Sequence, residues 1–442
     1  MRVRFAPSPT GLLHVGNGRT ALINFLAARK LNGGMVLRID DTDRERSKPE
    51  YEQAILEDLA WLGIGHDLMV RQTERAQRHD AAAELLKSKG LLYPAYETTE
   101  ELERRRKRAL ALKRPPIYDR AALRLSVEER GDLERQGRRP HWRFKLSQSK
   151  VSWCDLIRGD VEIDTAHLSD PVLIRADGSF LYTLPSVVDD IDLAITHIIR
   201  GEDHVTNTAV QIEIFAALGQ ELPTFAHFPL LVGSGGEALS KRLGSLSLRQ
   251  MREEGIEASA LFAYLARIGT SEPVALAECA ELVAGFDFAK IGRAPAHFDP
   301  AELAGLSARL LHGLDYETVR QRLHALGVGG GDAFWLAVRA NLSRFSDVVD
   351  LWRIVAGPIE PCIEDADLAQ LAIQCFPSGD VDDNTWGHWT GELSVRSGRK
   401  GRQLFRPLRL ALTGLEHGPE LKKLLPLIGR DKVLARLEGK SV

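Results

Sequence analysis

Residues 7–17 read Pro7-Ser8-Pro9-Thr10-Gly11-Leu12-Leu13-His14-Val15-Gly16-Asn17, and what flanks them decides the fold. Upstream, Val3 to Ala6 is a short apolar-rich segment with the look of a strand; downstream, Leu22, Phe25, Leu26 and Arg29 recur at three- and four-residue spacing, as on a helix. The prolines and Gly11 make the junction a turn, so the stretch is a strand-turn-helix unit. Such a turn offers backbone N–H groups and the positive end of a helix to a phosphate or to developing negative charge. His14 and Asn17 are expected to face that position as donors. Gly16 is expected to let a nucleotide base lie against the backbone, because a side chain there would hold the ring away.

Working outward, Asn32-Gly33-Gly34 ends the helix, and residues 35–39 read as a second strand that runs into the acidic turn Asp40-Asp41-Thr42-Asp43. Ser47, with Glu50 three residues on, reads as a capping box ahead of a helix whose apolar face is Tyr51, Ile55, Leu59 and Leu62, stopped by Gly63. Strands alternating with helices imply a parallel sheet. Between about residues 75 and 150, arginines, glutamates and short helical pieces replace this pattern. Strand-like segments return at residues 181–188 and 195–200, as they would around an insertion within an α/β domain. From Asp299 onward only helices are expected. Asp299-Pro300 with Glu302 starts one that bears Leu303, Leu306 and Leu310, and another carries Trp335, Val338, Leu342, Phe345, Val349 and Trp352.

A chain of 442 residues with 44% hydrophobic and 27% charged residues has the composition of a soluble protein of about three domains. No apolar run approaches the ~18 residues of a membrane span, and the amino terminus lacks the apolar core of a secretory signal, so no membrane insertion and a cytoplasmic location are expected. Cys154, Cys279, Cys362 and Cys375 are far apart, without the spacing of a disulfide framework or a zinc knuckle. The formal net charge of −3 gives no global attraction to a polyanion, which would need a local basic patch.

A second chemical stretch lies at Leu230-Leu231-Val232-Gly233-Ser234-Gly235-Gly236-Glu237-Ala238-Leu239-Ser240-Lys241-Arg242: a buried strand entering a glycine-rich loop that presents two adjacent cations. Alone, a Ser-Lys-Arg triplet is more often a solvated turn. In one chain with the His14 turn it suits closure over a triphosphate.

These two stretches resemble the His-Ile-Gly-His and Lys-Met-Ser-Lys-Ser motifs of class I aminoacyl-tRNA synthetases, and the whole chain is similar to the bacterial glutamyl-tRNA synthetase family. The likeness continues through Arg38-Ile39-Asp40-Asp41-Thr42-Asp43, Tyr182 with Val187-Val188-Asp189-Asp190, Arg200-Gly201-Glu202-Asp203-His204, and residues 406–414 from Arg406 to Gly414. It implies a Rossmann-type α/β catalytic domain (residues 1–72 and 182–220), an inserted acceptor-end-binding domain (73–181), a stem-contact region with the Ser-Lys-Arg loop (221–298) and an all-α anticodon-binding unit (299–442). The implied activity is ligation of glutamate to the 3′-terminal adenosine of tRNA-Glu, with tRNA-Gln as a second candidate, through a glutamyl-adenylate made from ATP with Mg2+. A monomer is expected.

By the same resemblance, His14, Ser240 and Lys241 stabilise charge during catalysis, and Gly11, His14, Gly16, Asn17, Leu231, Lys241 and Arg242 hold ATP. Arg4 and Tyr182 receive the side-chain carboxylate of glutamate, Arg200 its α-carboxylate, and Ser8 with Asp40 its amino group. Two carboxylates call for two arginines, each charge-assisted contact contributing about 1.5–3 kcal/mol. The motifs depart from the family pattern at Asn17 and at Ala238, where a histidine and a lysine are usual; Lys241 must then carry more of the phosphate charge. Some relatives hold zinc through cysteines in the insertion, whereas Tyr93-Pro94-Ala95-Tyr96 offers none, so no metal is expected. The run Arg104-Arg105-Arg106-Lys107-Arg108 follows Glu100, Glu101 and Glu103 and reads chiefly as a paired helix surface. Arg399, Lys400, Arg402 and Arg406 have no acid interleaved and are the better candidates for the tRNA backbone.

Overall fold

The computed structural model describes residues 1–233, 235–237, 239 and 246–442; Ala238 and the predicted Ser240, Lys241 and Arg242 lie outside the described residues. The chain forms two compact units, Met1–Glu253 with Leu261–Asp299, and Glu254–Ala260 with Pro300–Val442.

In the first unit β1 (Arg2–Phe5), α1 (Val15–Lys30), β2 (Gly34–Ile39), α2 (Pro49–Trp61) and β3 (Leu68–Arg71) follow in order. The strands pair in parallel as β1-β2-β3, with Arg4 opposite Val36 and Val36 opposite Leu68. Both faces of β2 are covered, hence the unbroken Met35-Val36-Leu37 run in place of alternation. Gly33 is fixed by close approach, since a Cβ there would lie 2.1 Å from the Met1 carbonyl oxygen.

Next come α3 (Ala76–Ser88), β4 (Leu92–Ala95), α4 (Thr99–Ala111), α5 (Val127–Arg135), β5 (His141–Phe144), β6 (Lys150–Asp155), β7 (Gly159–Asp164) and β8 (Val172–Ile174). Strands β4-β5-β8 form an antiparallel sheet of their own. The β6–β7 hairpin instead joins the second parallel group, built with α6 (Thr183–Asp192), β9 (His197–Gly201), α7 (Val205–Ala217) and β10 (Thr224–Phe228) in the order β7-β6-β10-β9. Along β6 the inward positions are Val151, Trp153 and Asp155, a half-buried strand whose last inward residue is a carboxylate. Then β11 (Leu231–Gly233) pairs in parallel with β12 (Ala296–Phe298) and leads into the second motif; α8 (Leu248–Glu253) follows it.

Three local expectations are corrected. Residues 183–192 form a helix, not a strand, because Leu184, Val187 and Val188 pack on one side at helical spacing and Pro185 sits in the first turn, where its missing N–H costs nothing. Ser47 makes no cap; α2 begins at Pro49 with Lys48 as the flanking residue, while Gly63 does end it in the left-handed region at φ +71°. The apolar run from Trp335 to Trp352 is divided between helices Gly331–Val338 and Val348–Ala356. The Asp347 carboxylate accepts from the N–H groups of Ser343 and Arg344 and restarts the chain there.

The second unit is helical from Pro300–Gly313 to Arg430–Leu437, around a core that includes Trp335 and Trp389, both without exposed surface. Their indole N–H groups donate to the carbonyls of Leu314 and Ala372, which lets two large rings be buried without an unmet donor. Arg436, also fully buried, donates to carbonyl oxygens of Ile354, Leu412 and Gly357 at 2.7, 2.9 and 3.2 Å, near helix ends whose carbonyls lack intrahelical partners.

In the first unit, a buried ion network ties β2 to α6. The Arg38 guanidinium donates to both oxygens of Asp40 (2.7 and 3.1 Å) and to Asp190 Oδ1 (2.8 Å), and also to Ser186 Oγ (3.1 Å). Burial alone would depress the Arg38 pKa, but Asp40 and Asp190 more than offset it and raise it. Removing one member of such a network strands charge in the interior, at a cost of about 3–5 kcal/mol. Arg38→Met is therefore expected to destabilise the protein by about that much in urea unfolding; a loss below about 1 kcal/mol would mean that the network does not hold the sheet to the helix.

Candidate active site

Strands β1 and β9 lie side by side where Thr196 N donates to Arg2 O (2.9 Å) and Arg2 N donates to Thr196 Oγ1 (2.8 Å). Among the described residues no ladder continues between them toward Phe5 and Gly201. Parting parallel strands open a crevice at their carboxyl ends, the place where open α/β sheets bind ligands. Here it is a cavity of about 530 Å³. Arg4, Asp40 and Arg200 line it from the strands and their ends and Tyr182 from the start of α6; Ser8, Gly11, His14, Gly16 and Asn17 line it from the turn and the start of α1, and Leu231 from β11. The fold thus brings together the described residues predicted for glutamate and ATP.

The turn is held by backbone bonds from its neighbours, Asp40 N to Pro7 O and Lys48 N to Pro9 O, each at 3.0 Å. His14 caps α1: its Nδ1 accepts from Gly16 N (3.0 Å) and Asn17 N (3.3 Å), and Asn17 Oδ1 accepts from His14 N (3.2 Å). Burial lowers the His14 pKa, which keeps the ring neutral at pH 7. With Nδ1 used as an acceptor, the proton resides on Nε2, and that N–H is the donor available to the cavity. For Gly16 the first reason differs from the expected one: a Cβ would come within 2.8 Å of His14 Cε1 and 2.9 Å of Nδ1, so it is the capping ring that excludes a side chain.

The two motif stretches are stitched together by backbone. Val15 N donates to Leu246 O (3.1 Å), Leu248 N donates to Leu13 O (2.9 Å), and His14 forms an antiparallel bridge with Ser247. Gly18 on α1 faces the Leu248 side chain, where a Cβ would lie 3.2 Å from its nearest methyl. The segment that follows the Ser-Lys-Arg loop is therefore anchored on the turn that carries His14.

The two arginines of the crevice differ in electrostatics. Arg4 Nε donates to Asp190 Oδ1 at 3.2 Å, so its charge is partly met by protein. Arg200, 4% exposed, has only neutral hydrogen-bond partners among the described residues: Tyr182 Oη (3.2 Å), Thr208 Oγ1 (2.7 Å), Gln211 Oε1 (2.7 Å) and His227 Nε2 (3.2 Å). Burial first, and then nearby Arg4, pull its pKa below the usual arginine value. A buried guanidinium that meets no carboxylate is a strong anion site. His204, beside Tyr182, is pushed down to about 4 by burial and by Arg200, so it adds no charge at pH 7. Asp40 has both oxygens on Arg38, and burial raises its pKa against that pairing.

Arg38, Asp190, Asp155, Thr208, Gln211 and His227 were not singled out from the sequence as site residues. Arg38 and Asp190 carried a signal, as charges inside otherwise apolar segments. His227 and Asp155 carried none, being 72 residues apart. In the second unit, acids outside the basic run meet two of the predicted tRNA contacts: Arg399 pairs with Asp365, and Arg406 with Glu364 and Glu416. Lys400 and Arg402 are exposed.

Two groups of parallel strands, β1-β2-β3 and β6-β10-β9, with a capped turn at the crevice between β1 and β9, make up a Rossmann-type catalytic domain of the class I aminoacyl-tRNA synthetases. The family model "tRNA synthetases class I (E and Q), catalytic domain" matches residues 1–303, and "Anticodon binding domain" matches residues 368–440. The chain belongs to the glutamate–tRNA ligase family. It is 56% identical over 442 residues to a glutamate–tRNA ligase 2 of Methylorubrum populi, covering 99% of this chain and 98% of that one. It is 58% identical to another from Beijerinckia indica, with 99% and 98% covered. A crystal structure of a glutamate tRNA ligase from Elizabethkingia meningosepticum, in complex with its amino acid, superposes with a TM-score of 0.87 at 27% identity, over 99% of this chain and 98% of that one.

Gly16→Ala is expected to push the His14 ring off its cap. Loss of the cap should cost about 1 kcal/mol of stability, and misplacement of the Nε2 donor about a hundredfold to a thousandfold in glutamate-dependent ATP–pyrophosphate exchange. Exchange within a few fold of the parent would show that the ring tolerates the methyl group.

Proposed function

We propose that this enzyme activates glutamate with Mg-ATP and transfers it to the terminal ribose of tRNA-Glu. The observation that carries the reading is the pair of buried guanidiniums, Arg4 and Arg200, in one crevice with the capped nucleotide turn; a substrate with two carboxylates and an adenylate is what this combination suits. In the first step the α-carboxylate attacks the α-phosphorus in line and pyrophosphate leaves. In the second, the ribose hydroxyl takes the glutamyl group and AMP leaves. No side chain acts as a covalent nucleophile.

The chain contributes position and charge stabilisation. Arg200 holds the α-carboxylate, Arg4 and the Tyr182 hydroxyl hold the side-chain carboxylate, and Ser8 with Asp40 receives the amino group. The His14 Nε2–H meets charge that develops on the phosphate, and the positive end of the α1 dipole adds to it, since the first N–H groups of α1 are already bonded within the protein. Ser240, Lys241 and Arg242 complete the phosphate site, together with Gly11, Gly16, Asn17 and Leu231 around the nucleotide. For tRNA, Lys400 and Arg402 offer the more available charge, since Arg399 and Arg406 would first have to leave their carboxylates. Exchange assays with and without tRNA, followed by acylation of purified tRNA-Glu and tRNA-Gln, test the reading. Acylation of tRNA-Gln alone would overturn the assignment of tRNA-Glu.

We further propose that the enzyme needs no zinc. In the insertion, Asp170 accepts from Tyr93 Oη (2.6 Å) and from Arg120 Nε and Nη2 (2.9 and 2.8 Å). Tyr93 thus ties β4 to this carboxylate, which Arg120 neutralises, and no cluster of three or more histidine, cysteine or carboxylate side chains placed to hold a metal occurs among the described residues. Elemental analysis should find well under one zinc per chain, and zinc chelators should leave acylation unchanged; a stoichiometric zinc whose removal stops acylation would refute this.

Arg4→Gln is expected to lower kcat/KM for glutamate far more than it raises KM for ATP, and to narrow the preference for glutamate over glutamine. A neutral amide in the wild-type site would leave the desolvated guanidinium with Asp190 as its partner but without the substrate carboxylate that completes its charge, which discriminates by more than the ~1–3 kcal/mol available from size. Steady-state kinetics with both amino acids decide it, and an unchanged ratio would move the side-chain contact to another residue.

A further inference from the structure

We propose that His227 is a positioning residue that presents Arg200 to the substrate with its charge unspent; this rests on the assignment of Arg200 to the α-carboxylate made above. Three buried groups stand in a chain. Asp155 Oδ2 lies 2.6 Å from His227 Nδ1, and His227 Nε2 lies 3.2 Å from Arg200 Nε. Asp155 also accepts from the backbone N–H groups of Ile157, Arg158 and His227, at 3.0, 3.0 and 3.1 Å. Burial opposes its charge, but these bonds and His227 outweigh it and lower its pKa to about 2.

An ionised Asp155 only accepts, so the His227 proton must sit on Nδ1, and Nε2 is left with a lone pair. That lone pair receives Arg200 Nε–H. A second proton on Nε2 would point at another donor. The ring is otherwise faced by Arg200 and Arg158 as cations, His204 neutral at pH 7, and the Trp153 and Phe225 rings, while Thr208 Oγ1, 2.9 Å from Nε2 and also bonded to His204 O (3.1 Å), suits either role. Burial and both arginines lower the His227 pKa against the pull of Asp155.

The choice of histidine has a consequence for charge. Carboxylates hold Arg38 and Arg4, and each spends cation charge within the protein. Across the Arg200 Nε position the protein places a neutral acceptor, with the anion one ring further back. The guanidinium is fixed in place, while its net charge remains for the incoming carboxylate.

The test uses the full-length enzyme. His227→Glu, which puts a carboxylate beside Arg200, should raise KM for glutamate by about tenfold to a hundredfold with KM for ATP changed less than about threefold. His227→Gln, which keeps an acceptor near the Nε2 position, should restore KM for glutamate to within about threefold of wild type. Equal KM values for glutamate in the Glu variant and wild type would overturn the proposal. Should the variants not fold, nitrogen NMR of labelled histidines in the wild type decides: a protonated Nδ1 and bare Nε2 from pH 6 to 8 supports it, and a doubly protonated ring at pH 7 overturns it. A wild type without glutamate-dependent exchange would instead overturn the substrate reading, which the tautomer measurement does not touch.

Discussion

Arg38 has no surface exposed to water, and the architecture of the site depends on how its charge is met. A buried guanidinium is tolerated only with nearly complete hydrogen bonding and counter-charge. Asp40 supplies these from the end of β2, and Asp190 supplies them from α6, a helix 150 residues further along the chain. Asp190 in turn fixes Arg4 on β1. One need for neutralisation therefore sets the relative positions of two strand ends and a helix, and these form one wall of the crevice.

The opposite wall follows a different electrostatic rule. Arg200 is as buried as Arg4, but hydroxyls, an amide and an imidazole surround it in place of carboxylates. The crevice is thus asymmetric, with one cation partly satisfied by the protein and the other waiting for an anion. Under the proposed assignment of Arg200, in a site that binds a small zwitterionic dicarboxylate and then releases it as an ester on RNA, the asymmetry would give the α-carboxylate its own anchor. Such an anchor would weaken once the carboxylate is activated, since the mixed anhydride no longer carries its charge.

The nucleotide side is organised by backbone more than by side chains. His14 is consumed as a cap through Nδ1, and this defines which nitrogen can donate. The bonds from Val15 to Leu246 and from Leu248 to Leu13 then tie the return of the second motif to the first. The loop between is anchored at both ends, by the β11–β12 pairing before it and by this bridge after it.

The sequence by itself determined the strand-turn-helix unit and the helical final third, because each is encoded in local spacing and turn chemistry; the residues of the crevice were reached through the resemblance of contiguous motifs to a family. Local patterning was less able to choose between strand and helix at residues 183–192, where a short apolar run fits both periods until packing selects one. Whether a charge is free or spent was not legible, since that depends on groups brought together over long separations. Arg399 and Arg406 meet acids outside the basic run, and Gly16 faces the His14 ring, which leaves no room for a Cβ there. Only the tertiary structure placed Asp155 behind His227 and His227 behind Arg200, because strands adjacent in a parallel sheet are far apart in the chain, and charge compensation acts across that spatial adjacency.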